Sequence, residues 1–497
     1  MNILLCAAEV APFAKAGGLG DVAAALPKAW ATLGHTPVVM LPKYGHIDVK
    51  KWGIEPTQIV ISVPVGTWME YARLWTAKLP GSEAPVYFIQ NADYFDRPGI
   101  YGNPDGFTDN DRRYLFFSRA VFEAAKALGF RPDIIHAHDN HTGFVPAFLA
   151  SFYRRDPFFA RTASVFTIHN MAYQGVFEPR RAMELSGFGT RSFYRGSWFE
   201  HDGAVNSMKT GIMFSEKITT VSPTYAHEIR WSDFGEGLQK ALDSRAGDLV
   251  GVLNGVDYSE WNPVLDMNLP AQYTPDTLAR KEDVKARFLV SRGLTEREAR
   301  QHVPLIGMVS RFTAQKGVEM FEKTLESFLA KGQLRVAILG SGERRYEDFF
   351  RYIARKFPRR AFVTIGYDTP LSHYIIAASD FLAVPSLFEP CGLTQLYALK
   401  YGTVPIVRAT GGLADTVDEY DALKMTGTGF LFDRFDRKEF SAAVRRALIA
   451  YRFQPHWNQL RQNGMARNFS SEVSAANYLN VFSWALQKIG VSPEQEP

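Results

Sequence analysis

Cysteine is almost missing from this sequence: Cys6 and Cys391 are the two present in 497 residues. A pair so separated cannot build the disulfide framework of small secreted proteins, so the usage suits a reducing compartment and no structural disulfide is expected. Long apolar runs are missing too, since no stretch reaches the ~18 uncharged apolar residues needed to span a bilayer, which leaves a membrane no role except as a surface. Charge of one sign is scarce: Lys+Arg 56 against Asp+Glu 52 gives +4. That bias is too weak to argue for nucleic acid, although it helps to hold an anionic small molecule. No low-complexity tract occurs apart from a short polar tail after Gly490. The first apolar run, Ile3–Ala7, has no basic segment and cleavage site ahead of it, so the expectation is a soluble, cytoplasmic protein that is not secreted.

What is present is ordinary globular composition, with 46% hydrophobic residues and length enough for two or three domains of ~100–200 residues each. Short apolar runs separated by turn residues and helix-like stretches recur at Ile3–Ala7, Thr36–Leu41, Ile59–Val63, Val86–Ile89, Ile134–Ala137, Ser164–Ile168 and Lys217–Val221. A second series runs through Leu305–Val309, Val336–Leu339, Phe362–Ile365, Phe381–Val384, Val404–Val407 and Gly429–Phe432. This rhythm predicts parallel α/β units. Between the series lie Asn254-Gly255-Val256-Asp257, Trp261-Asn262-Pro263 and a polar stretch with Pro270 and Pro275, which places a domain boundary near residue 258. The final segment has the spacing of an amphipathic helix at Val473, Ala476, Tyr478, Leu479, Phe482 and Leu486, with Ser470-Ser471-Glu472 as its cap.

A Gly-Gly-Leu-x-Asp segment occurs twice, at Gly17-Gly18-Leu19-Gly20-Asp21 and at Gly411-Gly412-Leu413-Ala414-Asp415. Each copy follows a strand-like run and precedes helical composition, the geometry in which glycines let backbone approach an anion and a helix start offers unpaired N–H donors. Two such units point toward a cleft between two nucleotide-fold halves. In the first copy Lys15 stands beside the loop and suits a diphosphate, although a tight turn with a solvated lysine reads equally well.

Other candidates also sit at strand ends. Ser310-Arg311 and Lys316-Gly317 follow Leu305–Val309, so two cations can reach one phosphate and stabilise a departing diphosphate. Pro385-Ser386-Leu387-Phe388-Glu389-Pro390-Cys391-Gly392-Leu393-Thr394-Gln395 follows another strand and offers a carboxylate for hydroxyls and helix-start N–H groups for oxygens. His136-Ala137-His138-Asp139 and Thr167-Ile168-His169-Asn170 invite a zinc reading, yet histidines at a strand end are equally well packed and hydrogen-bonded, and no metal is expected. Asp109-Asn110-Asp111 has the Asp-x-Asp form of metal-dependent sugar-nucleotide enzymes, but ahead of a helix-like stretch it reads better as a cap. Tyr101 and Tyr367 stand out among the aromatics because they fall in loops.

Together these motifs, with Lys15-Ala16-Gly17-Gly18-Leu19, Met171-Ala172-Tyr173-Gln174-Gly175, Thr220-Val221-Ser222-Pro223-Thr224-Tyr225 and Leu253-Asn254-Gly255-Val256-Asp257, resemble the ADP-glucose-dependent glycogen and starch synthase family over nearly the whole chain. The resemblance implies an α/β fold of two Rossmann-like domains facing a deep cleft, the GT-B type of glycosyltransferase. Residues 1–258 would form the acceptor and catalytic domain, 259–470 the nucleotide-sugar domain, and the helix from 471 to 497 would pack back on the first. The implied reaction moves glucose from ADP-glucose to the nonreducing 4-hydroxyl of an α-1,4-glucan with retention, and needs neither metal nor other cofactor. Arg311 and Lys316 would neutralise the diphosphate, with Lys15, Gly18 and Asp21 assisting. Glu389 would orient the donor glucose, Cys391, Gly392 and Thr394 would contact glucose or phosphate, and His169 would sit near the anomeric centre. Asn254 would bind the 6-hydroxyl, Tyr367 would flank adenine, and Asp139 and Tyr101 would face the acceptor.

The chain departs from the family pattern at Ala16, where a threonine is usual, and at Asn140, where a tryptophan is usual. Rival readings are a transferase using UDP-glucose or another acceptor, a phosphorylase, for which no lysine lies in a pyridoxal-phosphate motif, and a catalytically silent glucan-binding scaffold. No feature of the sequence fixes an oligomeric state.

Overall fold

The computed structural model describes residues 1–102, 106–322 and 324–491. Its contacts divide the chain into one unit of Met1–Gly255 with Ser471–Pro497 and another of Val256–Ser470. The chain passes between them at Gly255–Val256 and at Ser470–Ser471.

The first unit is built on a nine-stranded sheet. Its strands are β1 (Asn2–Cys6), β2 (Thr36–Pro42), β3 (Glu55–Val65), β4 (Trp68–Lys78), β5 (Pro85–Gln90), β6 (Ile134–His138), β7 (Ala163–Ile168), β8 (Lys217–Thr220) and β9 (Leu249–Gly251). The order is β9-β8-β7-β6-β1-β2-β5-β4-β3. From β9 to β5 all pairs are parallel, which requires helices on both faces and explains why Ile3, Leu4, Leu5 and Cys6 are all fully buried. The expected strand Ile59–Val63 is the middle of the longer β3, and β4, which the apolar-run reading passes over, pairs antiparallel with β3 and β5. There one face is wet. Ala72 and Leu74 point inward while Met69 and Tyr71 are exposed, so hydrophobicity alternates instead of running.

Helix α1 (Gly18–Thr32) follows β1, and α2 (Asn110–Ala127) precedes β6. Asp109 does stand at the N-cap position of α2, but its side chain makes no cap bond. It forms a bidentate pair with Arg97 at 2.6 and 2.7 Å instead.

The second unit has a wholly parallel six-stranded sheet: β10 (Leu305–Val309), β11 (Arg335–Gly340), β12 (Ala361–Ile365), β13 (Phe381–Val384), β14 (Val404–Arg408) and β15 (Phe430–Phe432), in the order β12-β11-β10-β13-β14-β15. Alternate residues feed two cores, Ile306, Met308, Val336 and Ile338 into one and Leu305, Ala337 and Leu339 into the other. Helices α3 (Thr394–Lys400) and α4 (Gly411–Thr416) follow β13 and β14.

The last helix, α5 (Ser471–Lys488), belongs to the first unit. Its buried face is Ser474, Ala475, Tyr478, Val481, Phe482, Ala485 and Leu486, so the expected face is met at Tyr478, Phe482 and Leu486 but not in the first turns, where Val473 and Ala476 are exposed. Small residues lead this face because α1 comes close, with the buried Trp30 indole donating to the Ala475 carbonyl at 3.3 Å and its ring packed on Tyr478 and Phe482. Residues 492–497, the end of the segment expected to pack back, lie outside the described residues. Among the described residues no helix is long and apolar enough to cross a membrane.

Candidate active site

In both sheets the strand order reverses direction about a central pair, β1/β6 in the first unit and β10/β13 in the second. At such a point the loops leaving the carboxyl ends diverge and leave a crevice, the usual ligand position of open α/β sheets. Most sequence candidates lie on these loops.

In the second unit, β10 leads into Ser310-Arg311 and then a single turn at Ala314–Lys316, while β13 leads into Pro385–Cys391. The two segments are tied together by backbone, with the Leu387 N–H donating to the Gln315 carbonyl at 2.8 Å. Gly317 is obligatory there. Its φ is +66, and a Cβ would lie 1.9 Å from the Pro385 oxygen. This closeness sets Lys316 Nζ 2.6 Å from Glu389 Oε2, which also accepts from Ser386 Oγ at 2.9 Å. Arg408 braces the same loop, donating to the carbonyls of Ser386 at 2.9 Å and of Leu387. Arg311 is exposed and, among the described residues, has no carboxylate partner. A cation pair and a carboxylate on neighbouring loops can bind an anion and sugar hydroxyls at once.

The second glycine repeat supports this loop. The Gly412 N–H donates to the carbonyls of Glu389 and Pro390, both at 3.1 Å, and a Cβ on Gly411 would lie 2.1 Å from the Glu389 oxygen. Gln395 holds the other side of the turn, donating to the carbonyls of Cys391 at 2.9 Å and Gly392 at 3.1 Å. Cys391 is buried, Gly392 has φ +74, and Thr394 opens α3. Tyr367 follows β12 and is 80% exposed, its hydroxyl accepting from Thr369 at 3.2 Å.

In the first unit, Lys15 Nζ lies 2.6 Å from Asp21 Oδ1, and Gly18 is the first residue of α1. Glu9, which the sequence reading passes over, organises the loop. Its Oε2 accepts from the N–H groups of Ala16 and Gly17 at 2.7 and 2.8 Å, and its Oε1 accepts from the Tyr101 hydroxyl at 2.5 Å. A carboxylate thus fills part of the backbone nest expected to face an anion. Because the bond uses the Ala16 N–H, the absent threonine hydroxyl leaves it intact. The Tyr101 ring stacks on His141 with centroids 4.6 Å apart, and its phenol is raised well above the ordinary value by burial, with the Glu9 carboxylate adding to it.

Asp139 follows β6 with φ 57, a strained conformation for a residue with a side chain. Its Oδ1 accepts from the His169 N–H at 2.7 Å, fixing the β6 and β7 loops together. Burial pushes this carboxyl up to about 7, against the backbone N–H groups of His169 and Asn170, which favour the charged form. His169 Nε2 lies 2.9 Å from His138 Nδ1, and burial pushes His169 down to about 3. His136 bonds Thr167 Oγ1 at 2.6 Å. The His-rich run is therefore a packed, neutral hydrogen-bonded chain, and among the described residues no group of three or more His, Cys, Asp or Glu side chains could hold a metal ion. Asn140 donates to the Tyr173 carbonyl at 3.0 Å, filling with an amide contact the place where tryptophan is usual. Asn254 is 6% exposed and its Oδ1 has no hydrogen-bond partner among the described residues.

The structure thus brings together Lys316 with Glu389, Asp139 with His169, and Lys15 with Asp21, each pair inside its own unit. Glu9 and Arg408 escape the sequence reading, although Glu9 carries the same signal as the others, a charged residue a few positions past a strand end, and Ser386 falls inside the loop singled out there without being given a role.

Two α/β units with cation and carboxylate loops at their switch points fit a glycosyltransferase of the GT-B fold. Residues 2–244 match the family model of the starch synthase catalytic domain, and 295–466 match that of glycosyl transferases group 1. The chain is 42% identical to glycogen synthase 1 of Geobacter sulfurreducens over 492 residues, 98% of this chain and 97% of that protein. It is 41% identical to glycogen synthase of Bacillus subtilis over 97% and 98% of the respective lengths. Among solved structures it is similar to the catalytic domain of starch synthase IV from Arabidopsis thaliana bound to ADP and acarbose. There the TM-score is 0.89 at 33% identity, covering 98% of this chain and 99% of that one. The chain belongs to the glycogen and starch synthase family.

Proposed function

We propose that the protein is a cytoplasmic enzyme that elongates an α-1,4-glucan, transferring glucose from ADP-glucose to the nonreducing-end 4-hydroxyl with retention of configuration. The observation that carries this reading is the 2.6 Å contact of Lys316 with Glu389 at the β10/β13 switch point. An ammonium and a carboxylate held on adjacent loops match a donor with a diphosphate at one end and hydroxyls at the other. Family membership along the whole chain supports the donor and acceptor classes.

In this reading the Val256–Ser470 unit binds the nucleotide sugar and the unit formed by Met1–Gly255 with the last helix serves the acceptor. Arg311 and Lys316 carry the charge that grows on the departing diphosphate, and Glu389 turns from Lys316 toward the glucose hydroxyls. Cys391, Gly392 and Thr394 present the turn and helix start to glucose or phosphate, and Tyr367 covers the adenine. Lys15, Gly18 and Asp21 assist the diphosphate. His169, kept neutral by burial, stands near the anomeric carbon, where a cationic ring would oppose developing positive charge. Asn254 offers its unpartnered oxygen to the 6-hydroxyl, and Asp139 and Tyr101 face the acceptor.

Retention in glycosidases commonly runs through a carboxylate nucleophile. Here Glu389 is assigned to the glucose hydroxyls, Asp139 accepts from the His169 backbone N–H, and the motifs place no further carboxylate to attack the anomeric carbon. We therefore assign a front-face substitution in which the leaving diphosphate helps to take the proton of the incoming hydroxyl. The donor is tested by comparing ADP-glucose with UDP-glucose on glycogen, following nucleotide release. Faster turnover with ADP-glucose is expected, and preference for UDP-glucose would establish the rival transferase.

A further inference from the structure

The amino ends of the second sheet, opposite the loops described above, carry a second concentration of positive charge. Arg335 begins β11 and is 5% exposed. Its Nη2 donates to the Glu298 carbonyl at 2.8 Å and to Gln301 Oε1 at 3.0 Å, whereas its buried Nη1 makes no hydrogen bond among the described residues. Arg335 lines a cavity of about 220 Å³ with Arg359, Arg360, Glu298 and Gln301. Arg359 pairs with Glu298, and Arg360 Nη1 donates to the Leu329 carbonyl at 2.6 Å. Gly332, with φ +66, leaves Arg360 its place, since a Cβ there would approach the guanidinium to 3.2 Å.

Three guanidiniums face one carboxylate here, and one of the three is taken out of water with a donor unmet. Such an arrangement costs stability unless an anion completes it. Burial lowers Arg335 below its ordinary value, and Arg360 and Arg359 push in the same direction while Glu298 opposes them. The cavity is below the ~300–1,000 Å³ of sites for larger organic ligands, which suits a compact anion and excludes a nucleotide sugar. It stands one strand length from the carboxyl ends, ~20 Å at ~3.3 Å per residue, so it is no part of the donor loops.

We propose that this cavity is a separate anion site that takes a phosphate dianion, free or as the head of a small phosphorylated metabolite. Guanidiniums bind such oxygens in bidentate fashion, and Arg335 and Arg360 come from successive strand starts, which fixes their spacing.

Calorimetric titration of the full chain with inorganic phosphate, against chloride of equal ionic strength, tests the site. Saturable binding is expected in the unaltered protein and in Lys316→Ala, and at least tenfold weaker binding in the Arg359→Gln/Arg360→Gln double variant, whose positions are exposed. Arg335→Gln should weaken it as much, and the double variant keeps the test valid if that buried change unfolds the chain. Tighter binding of glycerol phosphate than of phosphate identifies a phosphomonoester as the ligand, and equal or weaker binding identifies free phosphate. No saturable binding, equal competition by chloride, or binding lost in Lys316→Ala yet kept in the double variant would overturn the proposal.

Discussion

At the scale of single residues, Lys316 has two successive partners in this account, Glu389 in the ligand-free protein and the diphosphate oxygens during transfer. A charge that meets more negative charge in the transition state than in the ground state acts on turnover. Lys316→Ala should lower kcat by roughly 10²–10³, about 3–4 kcal/mol, with a smaller change in donor KM. Steady-state kinetics with varied donor checks this, and unchanged kcat with weaker donor binding would remove Lys316 from the chemistry. The buried histidines make a separate prediction. His136, His138, His141 and His169 are all held below the ordinary imidazole value, chiefly by burial, so they are neutral when folded and take up protons on unfolding once pH falls below ~6.5. Their contribution is present above that pH and lost on acidification. Asp139, raised to about 7, has the opposite sign and loses its contribution as pH rises from ~3.9 through that value. Four groups outweigh one, so the first unit should lose stability between pH 7.5 and pH 5, by ~1.4 kcal/mol per pH unit for each net proton taken up on unfolding, and its melting temperature should fall with it. Calorimetry at the two pH values reads this directly, and a rise on acidification would contradict it.

At the scale of elements, the two glycine repeats have parted roles. The first leads into α1 with the N–H of Gly17, and that of Ala16 before it, held by Glu9, and the second is a buttress whose backbone seats the Glu389 turn. A Cβ on Gly412 would lie 2.3 Å from the Cys391 oxygen and 2.4 Å from its Cα, both backbone atoms that cannot swing away. Gly412→Ala should therefore destabilise the second unit by about 1–3 kcal/mol, as overpacking does, and lower kcat by shifting Glu389. Thermal unfolding and kinetics on the same variant check the pair, and normal turnover would show that the buttress is idle. The elements also show what made the fold legible. Parallel strands covered on both faces print continuous apolar runs, so every strand of the second sheet can be read from the sequence. In β4 burial alternates and Glu70, Arg73 and Lys78 interrupt the pattern, so it hides. The last helix was legible in length and at Tyr478, Phe482 and Leu486 but not in its first turns, because the face against α1 is led there by Ser474 and Ala475, chosen for closeness and not for hydrophobicity. Lys316 and Glu389 stood out because charge at a strand end beside glycine has few structural uses. Arg408 and Ser386 did not, since an arginine ending a strand and a serine in a loop look alike whether they brace a turn or face water.

At the scale of the whole molecule, one chain holds two similar α/β units, for which we propose different tasks, the second for nucleotide sugar and the first for acceptor. The central claim is retaining transfer of glucose from ADP-glucose to a glucan without a glucosyl-enzyme. The measurement that tests it most directly is a single-turnover reaction with ADP-glucose and a maltooligosaccharide. The product linkage is read by NMR, and the quenched protein is weighed by mass spectrometry. The account predicts one new α-1,4-linked glucose at the nonreducing end for each ADP released and a protein of unchanged mass throughout. A protein heavier by one glucosyl group on a carboxylate, a β-linked product, or ADP release without glucan growth would contradict it.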